Sequence, residues 1–316
     1  MSELRYHVVL NANAGTANAI GVTAEALQDL FEANGLVATI DADADQPMAE
    51  RIARAIASEA EVIVAAGGDG TITALAHALV DTQKSLAILP LGTVNALAKD
   101  LKVPLDLAAS VASLATATPQ RIDVGEVNGR VFLHKVVVGL IPGVAAGRER
   151  IRGNQTLAAK LGLLRYFFRR VARSRRIAVA IDIADGPSRV ERVQAIAVAS
   201  NEYDESFGHF FSRQSLDKGT LTLYVLRHFT VRDFFRLTWG MLRGRWRDDE
   251  ALRVESATGV TIRSHKRLLK VMFDGEVMTM NTPLVFRIRP LALSVLTPFD
   301  VGPPVPETGE IESVEP

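Results

Sequence analysis

Three short clusters in this chain set glycine beside a polar or acidic side chain at the end of an apolar run: GGDGT at 67–71, LPLGTVN at 89–95 and DGE at 274–276. In residues 62–79, VIVAAGGDGTITALAHAL, a strand-like run empties through the glycines into a helical pattern. Gly67, Gly68 and Gly70 let a backbone approach an anion without a β-carbon in the way, and the free amides of a helix N-terminus supply donors. Asp69 stands among them. A carboxylate there repels phosphate unless it meets a divalent cation or accepts a proton, which are the needs of phosphoryl transfer. The same residues also suit a plain glycine turn in which Asp69 caps a helix. At 86–101, LAILPLGTVNALAKDL, a second strand meets a helix through glycine. Gly92 permits close approach, Thr93 brings a hydroxyl, and Asn95 offers donor and acceptor at the helix start. Two such junctions on neighbouring parallel strands converge on one crevice. LLKVMFDGEV ends a strong β run in a carboxylate pair around glycine, which suits an exposed hairpin or an acid–base pair facing Asp69.

The elements that must position these clusters follow two rhythms. YHVVL, VATI, VIVAA and LAILP read as strands, separated by the helical patterns TAEALQDLFEANG, closed by Gly35, then MAERIARAIAS and TITALAHALV. This is the βαβ alternation of a parallel sheet. From about residue 122 the runs are extended and β-branched: RIDVGEV, RVFLHKVVVGL, RIAVAIDIA, ERVQAIAVAS, TLTLYVL, GVTIRS, LLKVMFDGEV, LVFRIRP and LALSVLT. The expected fold class is an α/β N-terminal nucleotide-binding domain followed by a β-rich, mostly antiparallel domain. The boundaries expected are 1–122, with completion by about 291–302, then 123–290, and a Pro-rich acidic tail at 303–316 that is expected to be disordered.

Composition bounds the class. The 316 residues suggest about two domains, and 48% hydrophobic with 23% charged residues is ordinary for a chain that buries a core. There is no cysteine, which removes disulfides, thiolate metal sites and thiol nucleophiles. Lys plus Arg and Asp plus Glu number 36 each, so overall charge predicts no polyanion partner. No run of some 18 apolar residues and no leader-like N-terminus is evident, so a cytoplasmic protein is expected.

Together these elements resemble the diacylglycerol kinase catalytic-domain family, which includes bacterial soluble lipid kinases and sphingosine kinases. The family's first loop, Asn-Pro-x-Ser-Gly, is matched in part by Asn11 to Gly15, lacking the proline and serine. GGDGT is matched fully. Leu89 to Asn95 match its Leu-Pro-Leu-Gly-Thr-x-Asn, with Ala96 where an acidic residue commonly follows. RIDVGEVNGRVF resembles the crossover into the second domain, Asn201 resembles an asparagine of a central glycine-rich segment, and FDGEV resembles the late Asp-Gly-Glu. GGDGT alone is shared with NAD kinases; the combination is more specific.

The resemblance implies a lipid kinase that uses ATP and Mg²⁺. Asn11, Gly67, Gly68, Gly70, Thr71, Gly92, Thr93, Asn95 and Asp274 would then contact nucleotide. Asp69 would serve the metal and nucleotide, and Glu276 would be the base or a metal-associated carboxylate, the reverse assignment remaining open. Members commonly hold a structural Mg²⁺ in an acidic loop whose place is taken by SLDKGTLTLYV, residues 215–225; Asp217 remains, but Lys218 stands where an acid is usual. The alternatives are an NAD or other small-molecule kinase, and a non-catalytic lipid-binding or regulatory protein on the same fold.

Two basic-aromatic segments fit a lipid substrate. KLGLLRYFFRRVARSRR (160–176) sets Leu161, Leu164, Phe168 and Val171 opposite Arg165, Arg169 and Arg173; VRDFFRLTWGMLRGRWR (231–247) sets Phe234, Leu237 and Met241 opposite Arg232, Arg236 and Arg243. They read as helices packed on a sheet with solvated basic faces, or as surfaces that dock on anionic lipid. Peripheral membrane contact is expected, nucleic acid is not, and a homodimer is open.

Overall fold

A computed structural model describes residues 4–11, 21–139, 176–184, 186–204, 212–213, 215–243, 245–247 and 249–298, with single positions 162, 165, 168, 169 and 171. The partial match at 12–15, the side chains of Leu161, Leu164, Arg173 and Met241, and the 303–316 tail lie outside the described residues.

The first half alternates as the sequence predicts. Strands β1 (Arg5–Leu10), β2 (Val37–Asp41), β3 (Val62–Gly67) and β4 (Ser85–Pro90) pair in parallel in the order β2-β1-β3-β4. Helices α1 (Ala24–Ala33), α2 (Met48–Ala57), α3 (Asp69–Leu79), α4 (Ala96–Asp100) and α5 (Leu107–Leu114) connect or flank them. Local chemistry sets the ends. Thr23 Oγ1 accepts from the Ala26 amide to start α1, and Gly35, at φ +68°, ends it while the Leu36 amide reaches back to the Phe31 carbonyl. β3 is buried along its whole length, as a central parallel strand must be.

The second half, among the described residues, is built from β5 (Thr118–Val127), β6 (Arg130–Phe132), β7 (Lys135–Gly139), β8 (Ile177–Ile183), β9 (Arg189–Val193), β10 (Ala195–Ser200), β11 (Leu221–Leu226), β12 (Leu252–Ala257), β13 (Gly259–Ser264), β14 (Leu268–Phe273), β15 (Glu276–Asn281) and β16 (Leu284–Thr297), with the helix α6 (Val231–Leu242). An antiparallel sheet of order β12-β11-β10-β7-β14-β15 faces an extension of the first sheet that runs β4-β16-β13-β8-β9. Phe132, Phe273 and Phe286 meet edge to face between the two layers. Gly125 is required there: a β-carbon on it would lie 2.1 Å from the Phe132 ring.

Two runs fold differently from their reading. RVFLHKVVVGL is two strands, because the Leu133–Lys135 amides are drawn aside into a turn by Asp274. LVFRIRP and LALSVLT, read as separate strands, form the single β16, which changes register between Arg289 and Leu293, with Leu291 at φ +50°. The first part of β16 pairs with β13 and its last residues pair in parallel with β4, so one strand belongs to both halves. β5 runs beside it through the same bulge.

Candidate active site

The carboxyl ends of β3 and β4 face the β14–β15 hairpin across a cleft of about 760 Å³. Its lining brings together Asn11, Gly68, Asp69, Gly70, Thr71, Gly92, Thr93, Asp274 and Glu276 from the sequence-derived set. Gly67 and Asn95 sit just behind it, both buried. Asp217 is elsewhere.

The two glycine loops touch. A β-carbon on Gly92 would lie 2.7 Å from the Gly68 Cα and 2.6 Å from Asn95 Oδ1, so only glycine allows the GGDGT and LGTVN turns to close on each other. Asn95, at φ +51°, does not cap its helix. Its side chain accepts from the Gly92 amide at 2.8 Å and donates to the Gly92 carbonyl at 2.9 Å, which folds the turn on itself. Asn11 Nδ2 donates to Thr71 Oγ1 at 2.9 Å, tying the end of β1 to the first turn of α3.

Asp69 is the first residue of α3, and Gly68 is that helix's N-cap. The Asp69 carboxylate instead caps the next helix: Oδ2 accepts from the Asn95 amide at 3.1 Å and Oδ1 from the Ala96 amide at 2.7 Å. Asp69 is thus a helix cap, but of α4 and not of the helix it opens. Its helix-end amides fix both oxygens in direction while the residue still lines the cleft.

Asp274 and Glu276 flank the hairpin turn but have different surroundings. Asp274 accepts from the Leu133, His134 and Lys135 amides at 2.7, 2.9 and 3.0 Å. Removal from water pushes its carboxyl up, while those three amides pull it back. It is a latch between hairpin and cleft floor. Glu276 is exposed, and its Oε1 stands 3.1 Å from where a β-carbon on Gly70 would be. Glu276, Asp274 and Gly70 also line a second cavity of about 480 Å³, whose other walls include Ala74, Val131, Phe273, Met278, His77 and Arg130.

Behind the cleft lies a buried ionic cluster that the sequence reading missed. Arg213 donates from Nε and Nη2 to Asp100 Oδ2 at 2.9 and 2.7 Å, and from Nη1 to the Leu133 and Ser200 carbonyls at 2.6 and 2.9 Å. Burial pushes the Asp100 carboxyl up and Arg213 opposes it. Burial, then the charge of Arg213, holds His134 well below the usual imidazole range. Lys135 was also missed; the only signal was a His-Lys pair interrupting an apolar run. Asn201 is fully buried, with neither side-chain polar atom hydrogen-bonded.

The loop at 215–219 is held by contacts of its own. Asp217 is exposed and accepts from Ser215 Oγ at 2.6 Å, Lys218 Nζ lies 3.9 Å from Glu202, and the turn is stapled instead by Asp123, which accepts from the Gly219 and Leu291 amides. Among the described residues no group of three or more His, Asp or Glu is placed to hold a metal ion. Asp69 and Glu276 do fit one chemically: Mg²⁺ is commonly held by one or two carboxylates together with substrate phosphates.

The basic-aromatic segments pack as expected on one side only. Val171 is buried with Ala195 and Phe229, and Phe168 stacks on Phe235 at 5.7 Å, while Arg165 and Arg169 are exposed. On α6, Phe234 and Leu237 pack inward. Arg236, read as part of a solvated basic face, is engaged bidentately by Asp249 at 2.7 and 2.8 Å and by Asp233. The outer face of α6 carries Phe235, Trp239 and Leu242, 59%, 56% and 45% exposed, beside Arg232 and Arg243, whose guanidinium covers the Trp239 ring. No helix of the described residues is long and apolar enough to cross a membrane.

Residues 5–127 match the diacylglycerol kinase catalytic domain, and residues 140–297 match the YegS C-terminal NAD kinase beta sandwich-like domain. A Pseudomonas aeruginosa protein named "Probable lipid kinase YegS-like" is 31% identical over 300 residues, covering 94% of this chain and 90% of its own. A Bacillus subtilis protein named "Diacylglycerol kinase" is 25% identical over 228 residues, covering 69% and 72%. The crystal structure of a diacylglycerol kinase from Bacillus anthracis str. Sterne superposes with a TM-score of 0.63 at 17% identity, covering 93% and 97%. That last likeness establishes the fold.

Proposed function

The chain belongs to the diacylglycerol kinase catalytic-domain family, and from that premise we propose that it is a lipid kinase moving the γ-phosphoryl group of ATP to a hydroxyl of a membrane lipid. The observation that carries the reading is the place of Glu276: its residue borders both the cleft lined by the glycine loops and the second, partly apolar cavity. A phosphoryl donor seated on the first side and an alcohol entering from the second would meet at this carboxylate.

In this reading the amides of the two touching glycine turns cradle the phosphates, and Asp69 holds the turns together while facing the donor. Mg²⁺, when bound at the Asp69 side, would neutralise charge on the phosphates. Glu276 takes the acceptor hydroxyl proton as that oxygen attacks the γ-phosphorus and the bond to the β-phosphate oxygen breaks, releasing ADP. The exposed Phe235, Trp239 and Leu242 stripe between arginines supplies a face for an anionic bilayer, from which the acceptor must be drawn.

The test is incubation of the protein with γ-labelled ATP, Mg²⁺ and an extracted lipid mixture. Label in a chloroform-soluble product is expected. Label appearing in NADP when NAD is supplied, with none in lipid, would overturn the reading in favour of a small-molecule kinase.

A further inference from the structure

The cleft needs a cation for a triphosphate, and among the described residues that line it there is one lysine and no arginine: Lys135. This side chain is placed with care. Its amide is the third donor to the Asp274 latch at 3.0 Å, which fixes where β7 begins. Its Nζ stands 4.8 Å over the ring of Tyr203, itself buried and lining the same cleft. Arg213, Asp274 and Asp100 are the charged groups nearest in effect, and His134 adjoins it in the lining. Burial, then the charge of Arg213, lowers its amine to about 8.

We infer that Lys135 is a phosphate-binding residue of the phosphoryl donor, its ammonium meeting the terminal phosphates opposite the glycine turns. The inference rests on the kinase reading for the identity of the donor, and on the cleft geometry for the residue. A compact ammonium suits this task, since it follows a charge that shifts between bridging and terminal oxygens as the bond breaks.

The experiment compares ATP and adenosine binding by calorimetry in the wild type and in Lys135→Met, with a thermal melt of each. ATP affinity is expected to fall about tenfold or more while adenosine affinity is unchanged. Equal ATP affinity in the two proteins overturns the inference, as does a parallel fall for adenosine. A second measurement uses the unmutated protein: acylation of lysines read by mass spectrometry. ATP should shield Lys135 and adenosine should not; labelling indifferent to ATP overturns the inference even if the variant fails to fold. If ATP binds and Lys135 is shielded but no lipid is phosphorylated, the kinase reading fails and the residue assignment stands.

Discussion

At the scale of single residues, two carboxylates share a cleft but have different obligations. Asp69 carries on its oxygens the amides of Asn95, the N-cap of α4, and of Ala96, its first residue, whereas Glu276 is exposed and makes no such bonds. In Asp69→Asn one oxygen becomes an NH₂ facing an amide N–H, which should cost about 1–3 kcal/mol. We expect a lower melting temperature, weaker ATP binding and lost turnover together. Full stability with lost turnover would show that the helix-capping bonds matter little. Glu276→Gln should instead leave the melt unchanged and lower kcat by roughly 10²–10⁴, with ATP affinity nearly preserved. If kcat holds while ATP affinity collapses, Glu276 is a binding group. Lys135 gives a pH signature. Burial pushes its folded amine down to about 8 from the 10.5 of an unhindered lysine, so the unfolded state binds the extra proton between those values and stability should rise with pH across that window. Denaturant melts of wild type and Lys135→Met should differ in slope there; identical slopes would mean the amine is not desolvated.

At the scale of elements, α4 is a five-residue helix held at both ends by acids and their partners. Asp69 holds its N-terminus; Asp100, at its last residue, is held by Arg213 from the other half. Arg213 in turn grips the Leu133 carbonyl, whose own amide bonds Asp274. Arg213→Met should therefore cost about 3–5 kcal/mol by stranding a buried carboxylate. Asp100→Leu added to it should recover part of that loss; a strictly additive double variant would mean the two do not act as a pair. Much of the geometry of the glycine turns was legible because it rests on glycine and local turn chemistry, which a sequence displays. The clamp was not, since Asp100 and Arg213 lie 113 positions apart and look like ordinary surface charges. The α6 face misled for a related reason. Helical periodicity placed Phe234 and Leu237 correctly, but Arg236 is drawn away by Asp249, a loop partner no periodicity reveals.

At the scale of the whole molecule, neutral overall charge coexists with an amphipathic outer face on α6. If that face meets the bilayer, Phe235→Ser with Trp239→Ser should abolish sedimentation with anionic vesicles yet spare turnover of a short-chain, detergent-dispersed acceptor. Raising salt should weaken the wild type through Arg232 and Arg243. Vesicle binding that survives both changes would send the membrane contact elsewhere.

β16 carries a consequence for how the chain comes into being. Until Leu284–Thr297 have been made, β4 keeps an open backbone edge, and the parallel sheet beneath the glycine turns is unfinished. Translation thus withholds a completed sheet beneath the cleft until the segments that build its opposite wall already exist. A nascent chain stalled before residue 284 should expose that edge to chaperones and proteases. The floor of the cleft is thus never finished in a chain that still lacks the β14–β15 wall.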